Sequence, residues 1–236
     1  MFRMGEIVKN IITRPLSKIF NYLWDDRTQK AFYDWLKLII SFRGIWCFAP
    51  AVVGIFFVYW AESFSKPLIL KSYHEILALC LLSFVVVLFL IRSWLYRLEI
   101  DYVLLVIAIS FLCREIHFAG TDGAVVIVAA FVLVWVIYRK DRILANIENA
   151  KLVQIGLTGT IFTYFLAILI QRRVFKPGRL PLLPNEQLMH IALEEVIENV
   201  AHMYFLFVGV TSFFSIPNTG LKHPSKEDKK SNIKNQ

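Results

Sequence analysis

Between residues 190 and 202 the chain reads HIALEEVIENVAH, which gathers His190, Glu194, Glu195, Glu198, Asn199 and His202 in one short stretch. On a helix turning about 100° per residue, His190, Glu194, Glu198 and His202 follow one another at i, i+4 along one side, and Glu195 and Asn199 widen that stripe. The other side is apolar: Ala192, Leu193, Val196, Ile197, Val200, Met203 and Tyr204. Crowded carboxylates raise one another's pKa towards general acid–base work, and carboxylates beside histidines are ligands that divalent metals use. A second polar group, Arg114, Glu115 and His117, closes an apolar run earlier in the chain. A third is basic: Arg172, Arg173, Lys176 and Arg179 in QRRVFKPGRLPLLPNEQ, residue types that attract phosphate or an anionic lipid surface.

The elements that must position these groups belong to a membrane. Of 236 residues, 57% are hydrophobic and only 19% charged, whereas a soluble domain is roughly a quarter charged. A membrane-spanning helix needs about 20 mostly apolar residues, and six runs approach that: Gly44–Trp60, Ile76–Ile91, Leu98–His117, Gly123–Tyr138, Leu152–Gln171 and Met189–Ile216. The expected fold is therefore all-α, a polytopic bundle of about six transmembrane helices preceded by short interfacial helices. Three regions follow: an amphipathic segment over 1–40, split by Pro15; the bundle over 41–216; and a lysine-rich tail over 217–236, expected to be disordered. In the fifth run Gly156, Gly159, Thr160 and Thr163 offer small faces for close helix packing. No internal repeat is visible.

Charge sets orientation. Six crossings put both termini on one side, which would carry nineteen Lys and Arg against seven on the other. Because Lys and Arg gather in cytoplasmic loops, both termini are expected inside, in the plasma membrane. The net charge of +8 then reflects topology, and nucleic acid is not an expected partner. No cleavable leader or lipidation signature is expected in the first forty residues. Cys47, Cys80 and Cys113 lie in apolar stretches without metal-ligand spacing and read as packing residues.

A depth count brings the polar groups together. Twenty residues at about 1.5 Å each, taken back from Ile216 or forward from Leu98, place Glu198 and His117 near the same outer boundary. Glu115, Glu194, Glu198, His117 and His202 are thus candidates for an acid–base or ligand role, with Arg114 orienting the carboxylates and Arg172 and Arg173 receiving substrate. A divalent metal is a candidate cofactor, although His-Glu-x-x-His and paired Glu-x-x-His signatures are missing. Gly-x-x-x-x-Gly-Lys, Gly-x-Gly-x-x-Gly and Gly-x-Ser-x-Gly are missing too, so neither nucleotide phosphates nor serine-esterase chemistry has a signal.

Three functions fit these residues. One is a membrane-embedded enzyme with an outward-facing site for a lipid headgroup or small anionic substrate. A proton- or ion-coupled solute carrier is the second, and the third is a non-catalytic protein whose charges form an ion-pair network. Polar residues thin out below His202, where the sixth run offers only Thr211, Ser212 and Ser215. That one-sidedness favours the enzyme.

Overall fold

A computed structural model describes residues 22, 24–63, 71–116, 121–148, 150–175 and 186–215. Within them the chain is all-helical: α1 (Asp26–Ile40), a short 3-10 helix (Phe42–Cys47), α2 (Ala49–Ser63), α3 (Lys71–Tyr96), α4 (Glu99–Glu115), α5 (Thr121–Tyr138), α6 (Lys140–Ile147), α7 (Lys151–Gln171) and α8 (Glu186–Phe214). The first part of the amphipathic segment and the basic tail lie outside the described residues.

Among the described residues, fewer helices than the expected six are long and apolar enough to cross a membrane by themselves. Three of the described helices meet that length, in α3 (Tyr73–Tyr96), α7 and α8 (Met189–Phe214), or four if α5 and α6 are one span bent by 84°. Absence of charge exaggerated the others. The 15 residues of α2 rise only about 22 Å against a hydrocarbon core of about 30 Å. The 17 residues of α4 carry Glu99 and Asp101 in the first turn and Arg114 in the last.

The surface is that of a chain with apolar surroundings. Phe84, Val87, Leu90 and Trp94 on α3, Val126, Ile127, Phe131 and Val134 on α5, and Ile161, Phe165 and Ile168 on α7 are all exposed, far beyond the patches that soluble monomers tolerate. Inside, α8 is the axis, packed against α7, α3 and α2, while α4 packs between α3 and α5. One core joins Leu82, Val85 and Phe89 of α3 to Val103, Leu104 and Ala108 of α4 and to Phe205 and Val208 of α8. Another joins Val58 of α2, Ala167 and Ile170 of α7, and Leu193, Val196 and Ile197 of α8.

Small residues bring α7 onto α8, as the fifth run suggests. A Cβ on Gly156 would stand 2.7 Å from Val208 Cγ2, and one on Gly159 would stand 2.6 Å from the Tyr204 ring. The hydroxyls of Thr160 and Thr163 donate to the carbonyls of Gly156 and Gly159, so these polar groups are satisfied within the helix.

At the end of the bundle where α7 begins, several charges are paired. Asp25 caps α1 by accepting from the Thr28 N–H and also accepts from Lys140 Nζ at 2.8 Å. The Lys140 ammonium, joined by Thr28, holds the Asp25 carboxyl well below the usual carboxylate range. Glu99 meets Arg142 at 3.3 Å and Arg139 at 3.9 Å. Nearby, Arg92 of α3 and Asp101 of α4 form a bond of 2.9 Å with both side chains almost fully buried. The guanidinium of Arg92 also faces the rings of Tyr96 and Phe213.

Candidate functional site

The opposite end of the bundle holds the polar cluster, built from α4, α7 and α8. In α8 an i, i+4 ladder projects Glu194, Glu198 and His202 from one side, while Leu193, Ile197 and Ala201 are fully buried. Leu193 and Ile197 lie in the core against α7 and α2. In α4, Arg114 and Glu115 occupy the last turn and come level with the middle of α8. From there Arg114 reaches Glu198 on α8: Nη2 donates to Oε1 at 2.7 Å. The guanidinium is 30% exposed and the carboxylate 14%, so the pair sits at the edge of the packed interior.

One helical turn further into the bundle, His202 is buried, 1% exposed. Its Nδ1 shares a hydrogen bond of 2.6 Å with the Tyr164 hydroxyl from α7. Its Nε2 lies 4.0 Å from Glu115 Oε1 and has no direct hydrogen-bond partner among the described residues. The Tyr164 ring is packed by Phe111 of α4, centroids 4.6 Å apart, so both ring and hydroxyl are fixed. Placing the imidazole proton on Nε2 makes Tyr164 the donor to Nδ1 and points an N–H at Glu115. The resulting order is carboxylate, imidazole, phenol, one group from each of three helices.

The other candidates are more dispersed. Glu194 faces His190 on its own helix at 3.7 Å, one turn away from Glu198. Asn199 turns to α3, donating from Nδ2 to His74 and to the Glu195 carbonyl. Arg172 and Arg173 are exposed in the turn that ends α7, Arg173 with φ of 53°. No contact from either to the cluster is seen among the described residues, and His117 lies outside them. Nor do three or more His, Cys, Asp or Glu side chains form a metal-holding group among the described residues. Glu115 and His202 supply two donors facing one another.

Tyr164 and His74 escaped the sequence reading. A signal for Tyr164 exists: Gly156, Thr160 and Tyr164 are spaced i, i+4, so a single bulky hydroxyl ends a face otherwise cleared for close packing. The Arg92–Asp101 pair was hidden because both residues read as charges flanking apolar runs. Compared with known protein families, with curated proteins and with solved structures, the chain has no significant match in any.

Proposed function

We propose that this is an integral membrane protein whose α4–α7–α8 cluster is an outward-facing acid–base site acting on a phosphate-bearing lipid headgroup or a small anionic substrate. The observation that carries the proposal is the buried His202 ring, held by Tyr164 on one nitrogen and facing Glu115 with the other. A proton accepted at one edge of that ring can leave from the other, which is what a general acid–base relay requires. A phenol and a carboxylate thus face opposite nitrogens of one buried ring, which gives a proton both an entry and an exit. Arg114, clamped to Glu198, fixes the end of α4 and therefore Glu115 beside it. Arg172 and Arg173 provide positive charge at the end of α7 for an anionic substrate.

In this reading α2, α4 and α5 cross as well, giving six crossings with both termini on the cytoplasmic side, as the basic asymmetry requires. A second reading, the proton-coupled carrier, draws support from Arg92 and Asp101: α4 then carries a closed ion pair towards each end, the arrangement of an outer and an inner gate. Reconstitution separates the two. In vesicles of phosphatidylethanolamine and phosphatidylglycerol, the enzyme changes the lipid species read by mass spectrometry and leaves an internal pH dye unmoved. A carrier moves the dye when solute is added and leaves the lipids unaltered. Neither change, with wild-type stability in Tyr164→Phe, would leave only the ion-pair network.

A further inference from the structure

At the other end of the bundle a groove of about 920 Å³ runs between α1 and the α6–α7 junction, within the size range of small-molecule sites. Its floor and walls are apolar in the middle, with Phe32, Trp35 and Leu38 on one side and Leu144 and Ile147 on the other. The two walls are pinned together at their ends and separated between them. At one end Arg27 meets Glu148 at 3.6 Å and Lys140 binds Asp25. At the other, Trp35 Nε1–H donates to Thr158 Oγ1 at 2.7 Å, and Thr158 in turn donates to the Gln154 carbonyl. The gap is therefore held open by polar anchors; it is not a defect between loosely packed helices.

Four charged side chains line it: Asp34, Lys37, Glu148 and Lys151. Glu148 is engaged by Arg27, whereas neither Lys37 nor Lys151 makes an ion pair with a described residue. Two ammonium groups with no ion pair among the described residues, against the single carboxylate of Asp34, leave a net positive rim above an apolar trough. Along α1, Phe32, Tyr33, Leu36 and Ile40 are exposed, so the trough continues into the apolar surface that the bundle presents to its surroundings.

We propose that this groove is a binding site for one anionic glycerophospholipid, its phosphate between Lys37 and Lys151 and an acyl chain along Phe32, Trp35, Leu38 and Ile147. An apolar trough alone would suit any hydrocarbon; the two lysines that line it select a phosphate-bearing lipid. The site is distinct from the acid–base cluster, and it anchors α1 in the plane of the leaflet, where amphipathic helices with tryptophan and lysine reside.

The test is native mass spectrometry of the full chain released from detergent with added dioleoylphosphatidylglycerol. Wild-type protein is expected to retain one lipid, and to retain dioleoylglycerol, which lacks the phosphate, poorly. Lys37→Gln and Lys151→Gln should each weaken retention roughly fivefold, the effect of about one surface-lysine contact with an anionic lipid. Both positions are exposed, so these variants fold. Ala31→Trp, which fills the trough, should abolish retention, while Lys30→Gln, outside the groove, should leave it unchanged. Equal retention in all variants overturns the proposal. So does a dimer mass lost in Ala31→Trp, which would make the groove a contact between copies.

Discussion

Tyr164 decides what His202 can do. A buried imidazole needs at least one partner, and leaving a buried polar group unsatisfied costs about 1–3 kcal/mol. The phenol meets that need at Nδ1 and, by doing so, fixes which nitrogen faces Glu115. Arg114 has a different task, since its pair with Glu198 bridges α4 and α8 at the edge of the interior. A fully exposed pair contributes about 0–1 kcal/mol and breaking a buried one costs about 3–5; the partial exposure here places the loss between them. Arg114→Ala is expected to destabilise the detergent-solubilised protein by about 1–3 kcal/mol, and Glu198→Gln should cost less in that background than in the wild type. A double-mutant cycle on denaturation midpoints reads this directly, and additive losses would mean that the two side chains do not interact. At this scale the sequence was informative about charge: the i, i+4 stripe and the depth count both led to Arg114 and Glu198. It was uninformative about Tyr164, because an aromatic residue in an apolar run carries no periodic signal of its hydroxyl's partner.

Helices limit how far such reasoning reaches. The apolar runs matched α5, α7 and α8 nearly whole, because in a membrane the lack of charge and the helix coincide, and they fell short of α3, which continues past its flanking charges from Lys71 to Tyr96. They overstated α2 and α4, where the helices are short and, in α4, charges fold inward instead of marking an end. Asp101 shows why: it stands nine residues after Arg92 across a tight turn, and only the antiparallel packing of α3 on α4 turns two boundary charges into a buried pair. The α7–α8 contact was legible through its small residues, and it makes a sharp prediction. Gly159→Val should force α7 from α8, since the first added carbon already meets the Tyr204 ring at 2.6 Å, and that ring is tethered by its hydroxyl to the Trp46 carbonyl. Overpacking of this kind costs about 1–3 kcal/mol, and because Tyr164 and His202 lie across the same seam, function should fall with it. Val at Gly123, where a Cβ meets nothing, serves as the control: its thermal midpoint should match the wild type apart from the small propensity difference.

For the whole molecule, the two ends differ in character. The end holding α1 and the α6–α7 junction has several ion pairs and a groove rimmed by two further lysines, whereas the other joins carboxylate, imidazole and phenol around one buried ring. That polarity is consistent with the proposed enzyme, which would be reached from one face. If six helices cross, a reporter fused after residue 236 should be active only when it requires the cytoplasm; activity only on the far side would reverse the assignment and leave the basic excess outside, against the usual bias. The central claim is that the Glu115–His202–Tyr164 cluster performs acid–base chemistry on a headgroup or small anion. Its most direct test is the lipid composition of cells lacking the protein, complemented with wild type, Glu115→Gln, His202→Gln or Tyr164→Phe at matched membrane abundance. Loss of a general acid–base group costs about 10²–10⁴ in rate, so the account predicts that all three variants leave the deletion's lipid profile uncorrected while the wild type restores it. Restoration by all three, at equal abundance, would contradict it.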